Sequence, residues 1–277
     1  MNGLFERAKE KIITVAHRGI SGGNIPCNTV TAYEIALRQG ADMIEIDVEM
    51  SADGKLFIFH PKMEPAHLYC AERLSNLTAE EISHLRYVNF DHTPTQFGVN
   101  TLDEVLERFG NRCFINVDKF WGHPKEIYEA ICRHGLCERV VVKSTPTEKV
   151  LSVLEEVAPD LPFMPIVRDT HPLHEELMHR NIRYVGAEVL FTDENAEVAS
   201  PEFMEKMHRD EKLVWANAII YNYRTQLAAG HSDDRSLCDD PANGWGWLAR
   251  RGFDFIQTDW VLMMNEYLQK EGLLYRN

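Results

Sequence analysis

The chain is poor in positive charge: 29 Lys and Arg stand against 43 Asp and Glu, a formal net charge of −14 over 277 residues. Neutralising a nucleic-acid backbone takes clustered cations, so no nucleic-acid partner is expected, and adhesion to anionic membrane surfaces is disfavoured. No apolar run approaches the roughly 18 residues of a membrane span, so no integral membrane segment is expected. The apolar stretch at 12–16 is too brief for a signal-peptide core. The six cysteines include no Cys-x-x-Cys pair. A zinc site or disulfide framework is therefore unsupported, and a cytoplasmic chain with reduced thiols is the expectation. Cys132 and Cys137 are read as packing residues. No Gly-x-Gly-x-x-Gly follows a strand-like run, which counts against a dinucleotide fold. There is no Pro/Ser-rich linker, low-complexity tract or internal repeat, so residues 1–277 are expected to form one domain. Nothing in the sequence sets the oligomeric state.

What the chain does have is core-forming material, 44% hydrophobic and 10% aromatic residues, which excludes disorder. Strand-like runs lie at 12–16, 43–48, 56–59, 113–117, 139–142, 163–167, 184–189, 213–216 and 253–257. Helix-period segments fall between most of them, at 29–39, 124–134, 146–157, 172–180, 201–210 and 244–251. Several open on Pro, which suits a first helical turn because its missing N–H has no partner there anyway. Strands alternating with helices imply parallel βα units, and about eight such units at this length imply an α/β, (β/α)8 TIM-type barrel. One pair departs from the rule. Between Val48 and Leu56 no crossover helix fits, and Asp53-Gly54 is a two-residue hairpin signal. That turn sets Ala52 opposite Lys55 and Asp47 opposite His60, with Glu45 on the face of Asp47.

Polar residues end most strand-like runs: His17-Arg18-Gly19, Glu45-Ile46-Asp47, His60, Asp118-Lys119, Lys143, Trp215 with Asn217, and Thr258-Asp259. In a barrel those ends share one face, where catalytic groups gather. Glu45, Asp47 and Asp118 make an oxygen-rich set suited to Mg2+ or Ca2+. His17 and His60 are then free for acid–base work near neutral pH. Arg18 has the forked geometry for phosphate oxygens. Together these suit phosphoryl transfer.

The segments Ala16-His17-Arg18-Gly19, Pro26-Cys27-Asn28-Thr29, Glu45-Ile46-Asp47-Val48, Asp53-Gly54 and Phe59-His60 resemble the glycerophosphodiester phosphodiesterase family, within the phospholipase C-like phosphodiesterases. The resemblance continues at 77–82, 101–106, 115–118 and 252–259. It implies hydrolysis of a small-molecule phosphodiester, a glycerophosphodiester giving an alcohol and glycerol 3-phosphate, with one divalent cation. In it His17 and His60 are the acid–base pair, Glu45, Asp47 and Asp118 the metal ligands, and Arg18 the phosphate contact. The implied chemistry is internal attack by a neighbouring substrate hydroxyl, then opening of a cyclic phosphate by water. Which histidine is the first base stays open.

Three departures stand out. Cys27 replaces a Glu, Pro61 follows the second His where Asp is common, and Phe120 stands where the family has a lysine. Lys119, one residue early, and Lys143 are the rival phosphate contacts. Trp215 and Asn217 are possible contacts to the leaving group, with packing as the alternative. A lyase stopping at the cyclic phosphate and a catalytically weakened ligand-binding barrel are the rival readings. The long connection at 221–244 is either a substrate cover or a solvated insertion. His171, His174 and His179 are expected on a solvated face with no metal role.

Overall fold

The computed structural model describes residues 3–222 and 224–276. Nine strands form: β1 (Ile13–Ala16), β2 (Met43–Met50), β3 (Leu56–Ile58), β4 (Phe114–Asp118), β5 (Val140–Ser144), β6 (Phe163–Arg168), β7 (Gly186–Leu190), β8 (Leu213–Asn217) and β9 (Phe255–Thr258). All but β3 pair in parallel, and the β1–β2 pairing closes the ring into an eight-stranded barrel. Helices Val30–Arg38, Leu102–Phe109, Pro124–Arg133, Glu148–Val157, His174–Leu177, Pro201–Arg209, Trp245–Arg251 and Val261–Lys270 follow the barrel strands in turn. Pro124 and Pro201 sit in the first turns of their helices.

The period-2 alternation of each strand explains why the runs look uniformly apolar: both faces are covered. Ile13, Val15, Met43, Phe114, Val141, Met164, Leu213, Trp215 and Phe255 fill the inside of the barrel. Their strand neighbours, such as Ile44, Ile46, Ile115 and Val142, pack outward against the helices in a larger cluster. Each fully buried aliphatic or aromatic side chain contributes about 1.5–3 kcal/mol relative to exposure. The helix Leu4–Glu10 adds Leu4 and Ala8 to the inner cluster, so it plugs the end of the barrel where the strands begin.

The hairpin register corrects the expectation by one residue. Val48 pairs with Ile58 and Met50 with Leu56, so Asp47 lies opposite Phe59, whose N–H donates to the Asp47 carbonyl at 3.0 Å. The turn holds three residues, Ala52, Asp53 and Gly54. Ser51 accepts from Gly54 N–H at 3.0 Å and donates to the Lys55 carbonyl at 2.9 Å. Gly54 takes the left-handed conformation (φ 86°) that a three-residue hairpin loop requires at that point. Asp53 Oδ1 caps this turn through the Ser51 hydroxyl at 2.7 Å.

One other expectation changes. His171 and His174 are buried, sharing the Tyr184 hydroxyl at 2.8 and 2.9 Å. Within the connection at 221–244 lies the helix Asp233–Cys238, and His231 stacks on Trp247 at 3.8 Å. Cys132 and Cys137, both free thiols, bring their sulfurs to 3.1 Å. Among the described residues no helix is long and apolar enough to cross a membrane.

Candidate active site

Residues at the C-terminal ends of β1, β2 and β4 converge. Glu45, Asp47 and Asp118 each offer a carboxylate oxygen within 4.8 Å of the others. Neighbouring strands set this. In the β2–β4 ladder Asp47 pairs with Asp118 and Glu45 with Asn116, so side chains of one parity point into the barrel mouth. Each carboxylate of β2 is held by one oxygen. Glu45 Oε2 accepts from the Arg18 N–H at 2.9 Å, and Asp47 Oδ2 accepts from Asn28 Nδ2 at 2.9 Å. Asp47 Oδ1 is buried with no hydrogen-bond partner, an orphaned acceptor that a hard cation would satisfy. The donor set, all carboxylate, fits Mg2+ or Ca2+ and not a thiophilic metal.

The charges are crowded. Burial first, then repulsion from Asp47, pushes the Glu45 carboxyl up to about 7. Asp118 is also opposed by burial, but Lys119 and Lys143 hold it below the usual carboxylate range. Lys119 reaches the cluster because its backbone turns into the left-handed region (φ 62°). Its Nζ pairs with Asp118 and lies 3.6 Å from Asp47 Oδ1. The one-residue offset noted in the sequence is thus undone by the local turn. Arg18 Nε forms an ion pair with Asp47 Oδ2 at 2.9 Å.

The two histidines occupy opposite electrostatic settings. His17 Nδ1 donates to Asp259 Oδ1 at 2.9 Å. Burial works against its protonation, but Asp259 and the Glu45 charge outweigh it, and its pKa is raised. His60 Nδ1 donates to the Pro61 carbonyl at 2.9 Å. Burial, helped by Arg18 and Lys119, outweighs Asp47, and its pKa is lowered. In both rings a fixed acceptor takes the Nδ1 proton, leaving Nε2 as the nitrogen available for proton exchange. The Pro61 departure therefore leaves His60 oriented, through a backbone oxygen.

His17, Arg18, Cys27, His67, Asp259 and Trp260 line a cavity of about 620 Å3, whose wall continues in Leu262 and Met263. Burial pushes the Cys27 thiol up to about 11, so it meets the cavity as a neutral group. Gly19 is tight here: a Cβ would meet the Ala32 carbonyl carbon at 2.7 Å, at φ 77°.

Lys143 is buried, pairs with Glu188 at 2.7 Å and sits 3.8 Å from the Trp215 ring centre. Trp215 is fully enclosed and stacks on Phe255 at 4.9 Å. Asn217 donates to Glu188 at 2.6 Å. Lys143, Glu188 and Asn217 thus form a connected polar group inside the barrel, with Trp215 packed against Lys143. Asn28, His67 and Glu188 were not singled out in the sequence; Asn28 alone had a signal, its place inside the Cys27–Thr29 motif.

Residues 17–263 match the family model for the glycerophosphoryl diester phosphodiesterase family. The chain belongs to that family. It is similar to a glycerophosphodiester phosphodiesterase of Bacillus subtilis, 28% identical over 178 residues, covering 57% of this chain. The chain spans 60% of that relative's length. Among solved structures, a glycerophosphoryl diester phosphodiesterase from Parabacteroides distasonis has the same fold, with TM-score 0.80 and 18% identity, covering 98% of this chain and 93% of the other. A phosphodiesterase from Oleispira antarctica, in complex with the product sn-glycerol-3-phosphate, has TM-score 0.67 and 19% identity, covering 94% and 97%.

Proposed function

We propose that this chain hydrolyses a small phosphodiester of the glycerophosphodiester class, releasing an alcohol and glycerol 3-phosphate, with one Mg2+ or Ca2+ held by Glu45, Asp47 and Asp118. The observation that carries the proposal is the convergence of these three carboxylates with two histidines of opposed pKa shift. The bound cation would supply Lewis-acid stabilisation of charge on the phosphoryl oxygens. The product complex of the Oleispira relative supports the same hydrolytic outcome.

The protein's own groups account for the proton transfers. His60, held neutral, takes the proton of the substrate hydroxyl next to the phosphate as that oxygen attacks phosphorus. His17, held protonated, gives its Nε2 proton to the departing alcohol oxygen. A cyclic phosphate results. Water then attacks with His17, now neutral, taking its proton, while His60 returns a proton to the ring oxygen that leaves. Groups with pKa values pushed apart divide into acid and base in this way. Arg18, and Lys119 when a cation displaces it from Asp118, neutralise the phosphate; Lys143 adds positive charge. Six free thiols suit a cytoplasmic setting, with a place in lipid metabolism following from the substrate class.

The test is turnover of a panel of glycerophosphodiesters with Mg2+ or Ca2+, followed by phosphorus NMR. Full activity in both His17→Ala and His60→Ala would sink the proposal, and cyclic phosphate as the end product would make the chain a lyase.

A further inference from the structure

One carboxylate of the connection at 221–244 lies beside the strand end that holds His17. Asp233 is buried. Its Oδ1 accepts from Thr258 Oγ1 at 2.6 Å and from Trp245 Nε1 at 2.7 Å, and its Oδ2 accepts from the Asp259 N–H at 2.9 Å. Its own N–H donates to the Ala218 carbonyl at 2.7 Å, next to the end of β8. Ser232 caps the short helix on which it sits, accepting from Arg235 N–H at 3.2 Å. Three donors from two places in the chain, Trp245 and the Thr258-Asp259 pair, thus converge on one buried carboxylate.

Two of those donors belong to Thr258 and Asp259, the residues against which His17 is set. The His17 N–H donates to the Thr258 carbonyl at 3.2 Å, and the His17 ring donates to Asp259 Oδ1 at 2.9 Å. We propose that Asp233 is a positioning residue for the acid–base pair: it fixes the Asp259 backbone so that the Asp259 carboxylate meets His17 Nδ1 and His17 Nε2 faces the cavity. The inference rests on the proposed catalytic role of His17. Outer partners of this kind orient an imidazole and fix its tautomer. A carboxylate suits the place better than a neutral acceptor, because its two oxygens accept all three hydrogen bonds, and burying it is offset only when they are made. Through Asp233 the connection then serves as a brace for the site.

Kinetics on a glycerophosphodiester with Mg2+ test this. Asp233→Asn keeps the size but turns an amide NH2 toward one of the three donors. The expected result is a fall in kcat of about tenfold or more, with KM unchanged within about twofold, and loss of the far-downfield proton resonance of His17 Nδ1–H. A folded Asp233→Asn protein with wild-type kcat, or with only KM altered, overturns the proposal. If Asp233→Asn does not fold, Trp245→Phe removes one donor to the same carboxylate. A smaller kcat loss with the His17 resonance shifted supports the proposal; an unchanged kcat and resonance overturn it. His17→Ala in the same series separates the two levels. Its full activity removes the catalytic role of His17, whereas an inactive His17→Ala beside an intact Asp233→Asn removes only the positioning role.

Discussion

Nδ1 of His17 and Oδ1 of Asp259 lie 2.9 Å apart although 242 residues separate them in the chain. The contact is a consequence of barrel closure, since β1 and β9 are neighbours with Ala16 opposite Thr258. Asp259→Asn keeps the shape and loses the charge. It is expected to lower kcat by about 10–100-fold, measured at saturating substrate and cation.

The same pair sets the pH profile. The proposed roles require His60 neutral and His17 protonated, so kcat/KM should be bell-shaped. The acidic limb reports His60 and falls below the ordinary histidine value, because burial and nearby cations lower it. The alkaline limb reports His17 and falls above that value. In Asp259→Asn the alkaline limb should move to lower pH while the acidic limb stays. A profile in which both limbs move equally would contradict this division of roles.

Removal of the cation should leave a site that resists ionisation. The Glu45 carboxyl, lifted to about 7 by burial and Asp47, has a folded pKa above its unfolded one. Its contribution to stability is therefore fully present below the unfolded carboxylate range and is lost as pH rises through about 7. In EDTA, melting temperature should fall between about pH 4.5 and pH 7, and Mg2+ or Ca2+ should restore more at the upper pH. Glu45→Gln should flatten both trends in differential scanning calorimetry.

Gly19→Ala is expected to damage the site and spare the barrel. The added methyl carbon meets helix backbone at 2.7 Å, so the loop bearing His17 and Arg18 must shift. A displacement of about 1 Å can cost on the order of 100-fold in rate. Circular dichroism should remain native while kcat/KM drops.

The barrel was legible because its cause is local: each strand carries its own apolar alternation and each helix its own period. Glu45, Asp47 and Asp118 were legible because strand ends collect on one face whatever the details between them. The hairpin register was missed by one residue because Asp53-Gly54 serves equally well in a three-residue turn, with Gly54 as its left-handed last member. Lys119 looked misplaced because a left-handed turn does not show in residue spacing. Trp215 looked like a site residue because it ends a run, yet stacking on Phe255 makes it barrel filling. Asp233 gave no signal, since its meaning depends on Trp245, Thr258 and Asp259 arriving around it, and nothing local records that.

The helix Leu4–Glu10 gives the barrel a floor: with Leu4 and Ala8 set into its inner cluster, the end remote from the carboxylates is sealed. Traffic is then one-way in space and two-way in time. On the proposed reaction, water, phosphodiester, alcohol and phosphate would all pass the same rim, so the alcohol would have to clear that rim before the hydrolytic water could reach the cyclic intermediate from its side.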